Sequence, residues 1–72
     1  MPLHVRITTP ELLPNLVASF LRAECVAQAV ERDRLVVVHP SADDSRQAHE
    51  EVAFFVRAWQ LDHPGVGVEL TE

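Results

Sequence analysis

Lysine is missing from this chain: all six basic residues, Arg6, Arg22, Arg32, Arg34, Arg46 and Arg57, are arginine. Without an ε-amine there is no Schiff-base chemistry and no phosphate-loop lysine. Tyrosine is also missing, and the aromatics are three phenylalanines and one tryptophan. Acidic residues outnumber basic ones 11 to 6, for a net charge of −5. Nucleic acid is a poor partner for such a chain, because phosphate neutralisation supplies most non-specific affinity. The arginines are scattered, and no basic strand with interleaved aromatics marks an RNA-binding sheet. The single cysteine, Cys25, excludes an intramolecular disulfide and a Cys-x-x-Cys pair. The longest apolar run, residues 52–56, falls far short of the ~20 residues of a membrane span. The opening Met1-Pro2-Leu3-His4-Val5-Arg6 does not read as a signal peptide. A cytoplasmic location with no membrane or nucleic-acid partner is the expectation. No close-spaced metal-ligand pair, nucleotide loop or catalytic constellation occurs, so neither cofactor nor metal nor enzymatic activity is expected.

What is present is an ordinary globular balance, 47% apolar and 24% charged. The 72 residues make one domain, 1–72. A domain this small buries only ~60% of the surface its unfolded chain exposes, so a homodimer is the default expectation.

Alternation in Leu3-His4-Val5-Arg6-Ile7-Thr8 predicts a half-buried strand with Leu3, Val5 and Ile7 inward. Thr8-Thr9-Pro10-Glu11 reads as a helix start: Thr8 with Glu11 makes a capping box, or Thr9 caps a helix with Pro10 at its first position. Pro14 predicts a tight turn over 10–13 and a regular helix from near Pro14 to near Glu24, with Leu13, Leu16, Val17, Phe20 and Leu21 on its apolar face. Residues 25–32 and 34–39 predict two strands joined by a turn at Arg32-Asp33. A second helix is expected after Ser41 as cap, with Asp43 and Asp44 in its first turn and Ala48, Val52, Phe55, Val56 and Trp59 on the core face. Asp62-His63-Pro64-Gly65 stops it, and residues 65–70 give a last strand with Val66, Val68 and Leu70 inward.

This order predicts an α+β, ferredoxin-like βαββαβ domain. Right-handed crossovers give a four-stranded antiparallel sheet of order 4-1-3-2 with both helices on one face.

Val5-Arg6-Ile7-Thr8, then Pro10-Glu11-Leu12-Leu13 and an Ala/Leu-rich helix, together with His63-Pro64-Gly65-Val66-Gly67-Val68, loosely resemble the opening and closing segments of ACT-type small-molecule-sensing regulatory domains. That family's turn after the first strand is of Asp-x-Pro-Gly type; here it reads Thr8-Thr9-Pro10-Glu11. The resemblance implies a ligand-binding turn at Thr8, Thr9, Pro10, Glu11, Leu12 and Leu13, and a regulatory role.

Among chemistry-bearing residues, the proposed topology sets the start of the first strand beside the end of the third, where His4 and His39 approach each other if they share a face. Two surface histidines are the expectation rather than a metal pair. Cys25 follows a helix C-terminus, where the dipole disfavours a thiolate, and reads as a packed structural cysteine. Asp43-Asp44 and Glu50-Glu51 read as solvated acids without tuning partners. Ser19, Ser41 and Ser45 sit in no nucleophile-elbow sequence. Arg6 and Glu69 are expected to pair across strands. Phe54 and Leu61 fall on the side of the second helix away from the core, and two such residues on a small domain suggest an interface. The functional expectation is a non-enzymatic regulatory module binding a small molecule or a partner protein. The alternative is a structural or interaction domain acting through self-association or docking.

Overall fold

A computed structural model describes residues 2–71. The chain runs β1 (Leu3–Ile7), α1 (Leu13–Arg22), β2 (Val26–Glu31), β3 (Arg34–Val38), α2 (Ser45–Leu61) and β4 (Val68–Thr71), with a 3-10 turn over Pro10–Leu12 ahead of α1. All paired strands are antiparallel and the sheet order is β2-β3-β1-β4. This is the expected 4-1-3-2 order read from the opposite edge, the ferredoxin-like plan.

Alternation in β1 works as the period-2 pattern requires: Leu3, Val5 and Ile7 are buried while Arg6 is exposed. Leu35 and Val37 of β3 join them, and Leu13, Leu16 and Phe20 of α1 and Val52, Val56 and Trp59 of α2 complete one core. Both helices therefore cover the same sheet face. Burial of each large core side chain contributes roughly 1.5–3 kcal/mol. The helices are locked together as well: Phe20 and Phe55 stack with ring centroids 4.5 Å apart, and Trp59 Nε1 donates to Asn15 Oδ1 at 3.0 Å.

Element ends depart from the sequence reading where side chains found better partners. Thr9 does occupy the cap position before Pro10, but its side chain makes no capping bond. The Thr8–Glu11 capping box does not form, because Thr8 Oγ1 accepts from the Gly67 amide at 2.8 Å. Helix α1 ends at Arg22 rather than near Glu24. Glu24 takes a left-handed φ of 65°; its amide donates to Leu21 O at 3.1 Å and the Cys25 amide to Phe20 O at 3.0 Å. Those two bonds are a Schellman closure, which satisfies the last carbonyls of the helix.

Helix α2 is capped by Asp44 instead of Ser41. Asp44 is extended, with φ −151° and ψ 175°, and its Oδ1 accepts from the Gln47 amide at 2.7 Å. Gln47 reaches back to accept from the Asp43 amide at 3.0 Å, a near relative of the capping box. Asp43 and Asp44 thus precede the first turn rather than filling it. Strand β4 begins at Val68, since Gly65, with φ 86°, turns the chain and Gln60 Nε2 donates to Val66 O at 2.9 Å. Arg6 and Glu69 do face each other in register, but the Arg6 guanidinium lies 3.8 Å from the Asp33 carboxylate. Among the described residues no helix is long and apolar enough to cross a membrane.

Candidate functional site

Where α1 ends and β2 begins, the left-handed Glu24 redirects the chain so that Cys25 enters the core. The β2–β3 ladder then decides what stands beside it. Glu31 is opposite Arg34, but a bulge between Ala29 and Glu31 shifts the register so that Val26 faces Val38. Just beyond the end of that ladder stand Cys25 and His39, which line one cavity. From α2, Glu51 meets the histidine: His39 Nε2 lies 3.0 Å from Glu51 Oε1. Gln47 Nε2 donates to Glu51 Oε2 at 2.8 Å. An ionised carboxylate only accepts, so the His39 proton sits on Nε2.

Cys25, His39 and Glu51 line a cavity of about 400 Å³ whose remaining walls are Ala23, Glu50, Val52, Phe54, Phe55 and Ala58. Its volume and its apolar walls with a few convergent polar groups are those of a small-molecule site. Burial, reinforced by the negative charge of Glu51, pushes the Cys25 thiol above its ordinary range. A thiol held protonated is a poor nucleophile. Cysteine, histidine and glutamate share one cavity; the imidazole gives Nε2 to Glu51, and its Nδ1 is buried without a hydrogen-bond partner among the described residues. The arrangement is suited to binding.

Phe54 forms the outer lip. It is 73% exposed, and Leu61 is 81% exposed. With Arg57 and Ala58 they flank a smaller hollow of about 130 Å³ along the same helix stripe. The sequence placed both residues away from the core, and so does the structure. It also brings Phe54 to the Cys25–His39–Glu51 cavity, which helix periodicity alone did not foretell.

The ligand turn implied by the ACT-type resemblance lies elsewhere. Thr8 is bound to Gly67 by its hydroxyl and by a backbone bond, Thr8 N to Gly67 O, at 2.9 Å. Thr9 accepts from the Leu12 amide through its carbonyl at 3.0 Å. Leu12 packs on the core and Leu13 belongs to it. Pro10, Glu11 and Leu13 line a hollow of about 340 Å³ together with Pro14 and, from the β2–β3 end, Ala29, Glu31 and Arg32.

His4 and His39 do not share a face. His4 stands opposite Val36 and Thr71 on the uncovered side of the sheet, and His39 points at α2. His63 stacks on Trp59 with centroids 4.0 Å apart and engages Trp59 O through Nδ1 at 2.9 Å. Among the described residues no group of His, Cys, Asp and Glu is arranged to hold a metal ion. Glu50 pairs, among the described residues, only with Arg46, at 3.3 Å on an exposed surface. Glu51, read from sequence as a solvated acid without a partner, is the exception. Its pairing with His39 depends on a strand register and a helix position that are not local in sequence. Comparison with known proteins returns no matching family model, no matching curated protein and no matching solved structure.

Proposed function

We propose that this chain is a small non-enzymatic regulatory module that works by binding, and that its binding site is the cavity between α2 and the ends of β2 and β3. One observation carries the reading: a ligand-sized hollow with apolar walls is lipped by Phe54, a phenylalanine 73% exposed that the fold does not use. The Cys25 thiol and the His39–Glu51 pair supply orientation rather than chemistry. The module is cytoplasmic and homodimeric on this reading, and the ACT-type resemblance agrees with a sensing role. The hollow beside Pro10, Glu11 and Leu13 is the alternative site that the resemblance favours.

A thermal-shift screen against amino acids, nucleotides, amines and divalent metals tests the proposal. A ligand that binds only the native state raises the melting temperature in a saturable way. The expected result is stabilisation by one class of organic molecule, abolished by filling the cavity with Ala58→Leu. A flat response to every class rejects the small-molecule reading.

The second reading is self-association or docking through the α2 stripe, favoured by the exposure of Phe54 and Leu61 on one helix side. Replacing both with Asp then yields a folded monomer of half the mass by light scattering. An unchanged mass rejects it.

A further inference from the structure

The charges around the cavity are of one sign. Glu50 and Glu51 both line it, and no lysine or arginine does. Arg46 is 87% exposed and lies 3.3 Å from Glu50, so it neutralises little, and Arg22 and Arg57 line the adjoining hollows rather than this one. The thiol of Cys25 is neutral when protonated. Two phenylalanine rings, Phe54 and Phe55, stand in the same wall. Phe55 is already stacked on Phe20, whereas Phe54 has its ring surface free.

Carboxylates beside open aromatic faces are the pairing that recognises an ammonium ion. The ring quadrupole attracts the cation across its face, the carboxylate supplies the opposite charge, and apolar walls take the rest of the molecule. An anionic ligand would meet two carboxylates with only His39, itself held by Glu51, to offset them. A neutral one would leave the acidic rim unused. We infer that the cavity binds a small organic ammonium ion, an amine carried on an aromatic or branched aliphatic body, with its charged head at Glu50, Glu51 and Phe54 and its body against Val52, Phe55 and Ala58. This rests on the reading of the cavity as the binding site and specifies its ligand class.

The test uses the whole chain, labelled with ¹⁵N and titrated separately with phenethylammonium chloride, 2-phenylethanol and 3-phenylpropionate, three probes that share a phenyl-ethyl body and differ in charge. Phenethylammonium is expected to shift the amides of Ala23, Cys25, His39, Phe54 and Ala58, at least about tenfold more tightly than the alcohol, a difference on the scale of a charge-assisted contact. The propionate is expected to leave them unmoved. Glu50→Gln, which removes only the exposed contact to Arg46, should bring the ammonium close to the alcohol. Glu51→Gln should do the same while keeping an acceptor for His39. Equal binding of ammonium and alcohol overturns the ammonium inference and leaves the cavity as a binding site. Shifts confined to residues 8–13 move the site to the turn and overturn the inference. Silence from all three probes removes both the inference and the cavity reading.

Discussion

Gly67 is the position at which one added methyl group should do the most for its size. A Cβ built there meets Thr8 Cγ2 at 2.9 Å and Thr8 Oγ1 at 3.4 Å. Rotating the threonine would relieve the first contact, but its hydroxyl accepts from the Gly67 amide at 2.8 Å and the two backbones are tied by a 2.9 Å bond. Gly67→Ala must therefore break that hydroxyl contact or spread the junction between β1 and β4. Forcing a methyl into such a space costs about 1–3 kcal/mol. Gly67 does not have the left-handed φ that Gly65 has, so alanine also restricts the unfolded chain and returns about 0.4–1 kcal/mol. The net expectation is a loss of about 0.5–2 kcal/mol, or a fall in Tm of several degrees for a domain of this size. Thr8→Ser deletes Cγ2 and keeps Oγ1. In that background Gly67→Ala should become neutral or stabilising, a coupling of about 1–3 kcal/mol in a double-mutant cycle followed by urea unfolding. Equal losses in both backgrounds would refute the clash and, with it, the claim that the Thr8 hydroxyl is occupied and unavailable to a ligand.

Further expectations follow from the helix ends and the thiol. Glu24→Gly should stabilise the domain by about 0.5–1 kcal/mol in chemical denaturation, since glycine takes the left-handed φ of 65° without the cost an L side chain bears; a destabilised variant would mean that the Glu24 side chain contributes something the geometry does not account for. Asp44→Ala should cost about 0.5–2 kcal/mol and Ser41→Ala close to nothing, and the reverse order would return the cap to Ser41. Because the folded Cys25 thiol is raised by burial and by Glu51, its contribution to stability is fully present below the ordinary thiol pKa and is lost as the pH rises through the folded value. Wild type should therefore lose stability relative to Cys25→Ala as the pH rises above the ordinary thiol pKa of about 8.5, and a pH-independent difference would sink the argument. Iodoacetamide should accordingly modify the native thiol more slowly than the urea-unfolded one.

The elements were legible because their signals are local. Leu3, Val5 and Ile7 alternate within one strand, and Ala48, Val52, Val56 and Trp59 recur within one helix, so each segment states which of its own sides is buried. Their order then left few chain paths, and the crossover rule chose among them. The helix caps were legible less well, since Ser41 and Asp44 are both good caps and the choice fell to Gln47, which bonds back to the Asp43 amide. His4 and His39 were separated by a phase that the run Val36-Val37-Val38 does not reveal: three like residues give no alternation from which to read which of them faces the helices.

The cavity was illegible for a different reason. Its polar groups come from three segments, Cys25 at the entry to β2, His39 at the exit of β3 and Glu50 and Glu51 within α2, and no spacing along the chain relates them. The turn at Arg32-Asp33 pairs Glu31 with Arg34; carried onward without interruption, that register sets Cys25 opposite Pro40. The bulge between Ala29 and Glu31 moves the partner by one residue and seats the thiol beside the imidazole. A bulge contributes one unpaired residue and no characteristic side chain here, since Val30 is as suited to a regular strand as to an irregular one. The partner of Glu51 is set instead by the alternation of β3, which its pairing with β1 holds in phase. With Leu35 and Val37 inward, His39 falls on the same side of β3, and a carboxylate one position before the buried Val52 lies 3.0 Å from the ring. The sheet irregularity thus sets the place of Cys25, and removing it, by deleting Val30, should separate Cys25 from His39 while leaving the His39–Glu51 contact and the helices in place. A His39 side-chain shift difference between wild type and Glu51→Gln that persists in the deletion variant while the Cys25 signals move would support that account; loss of the difference would contradict it.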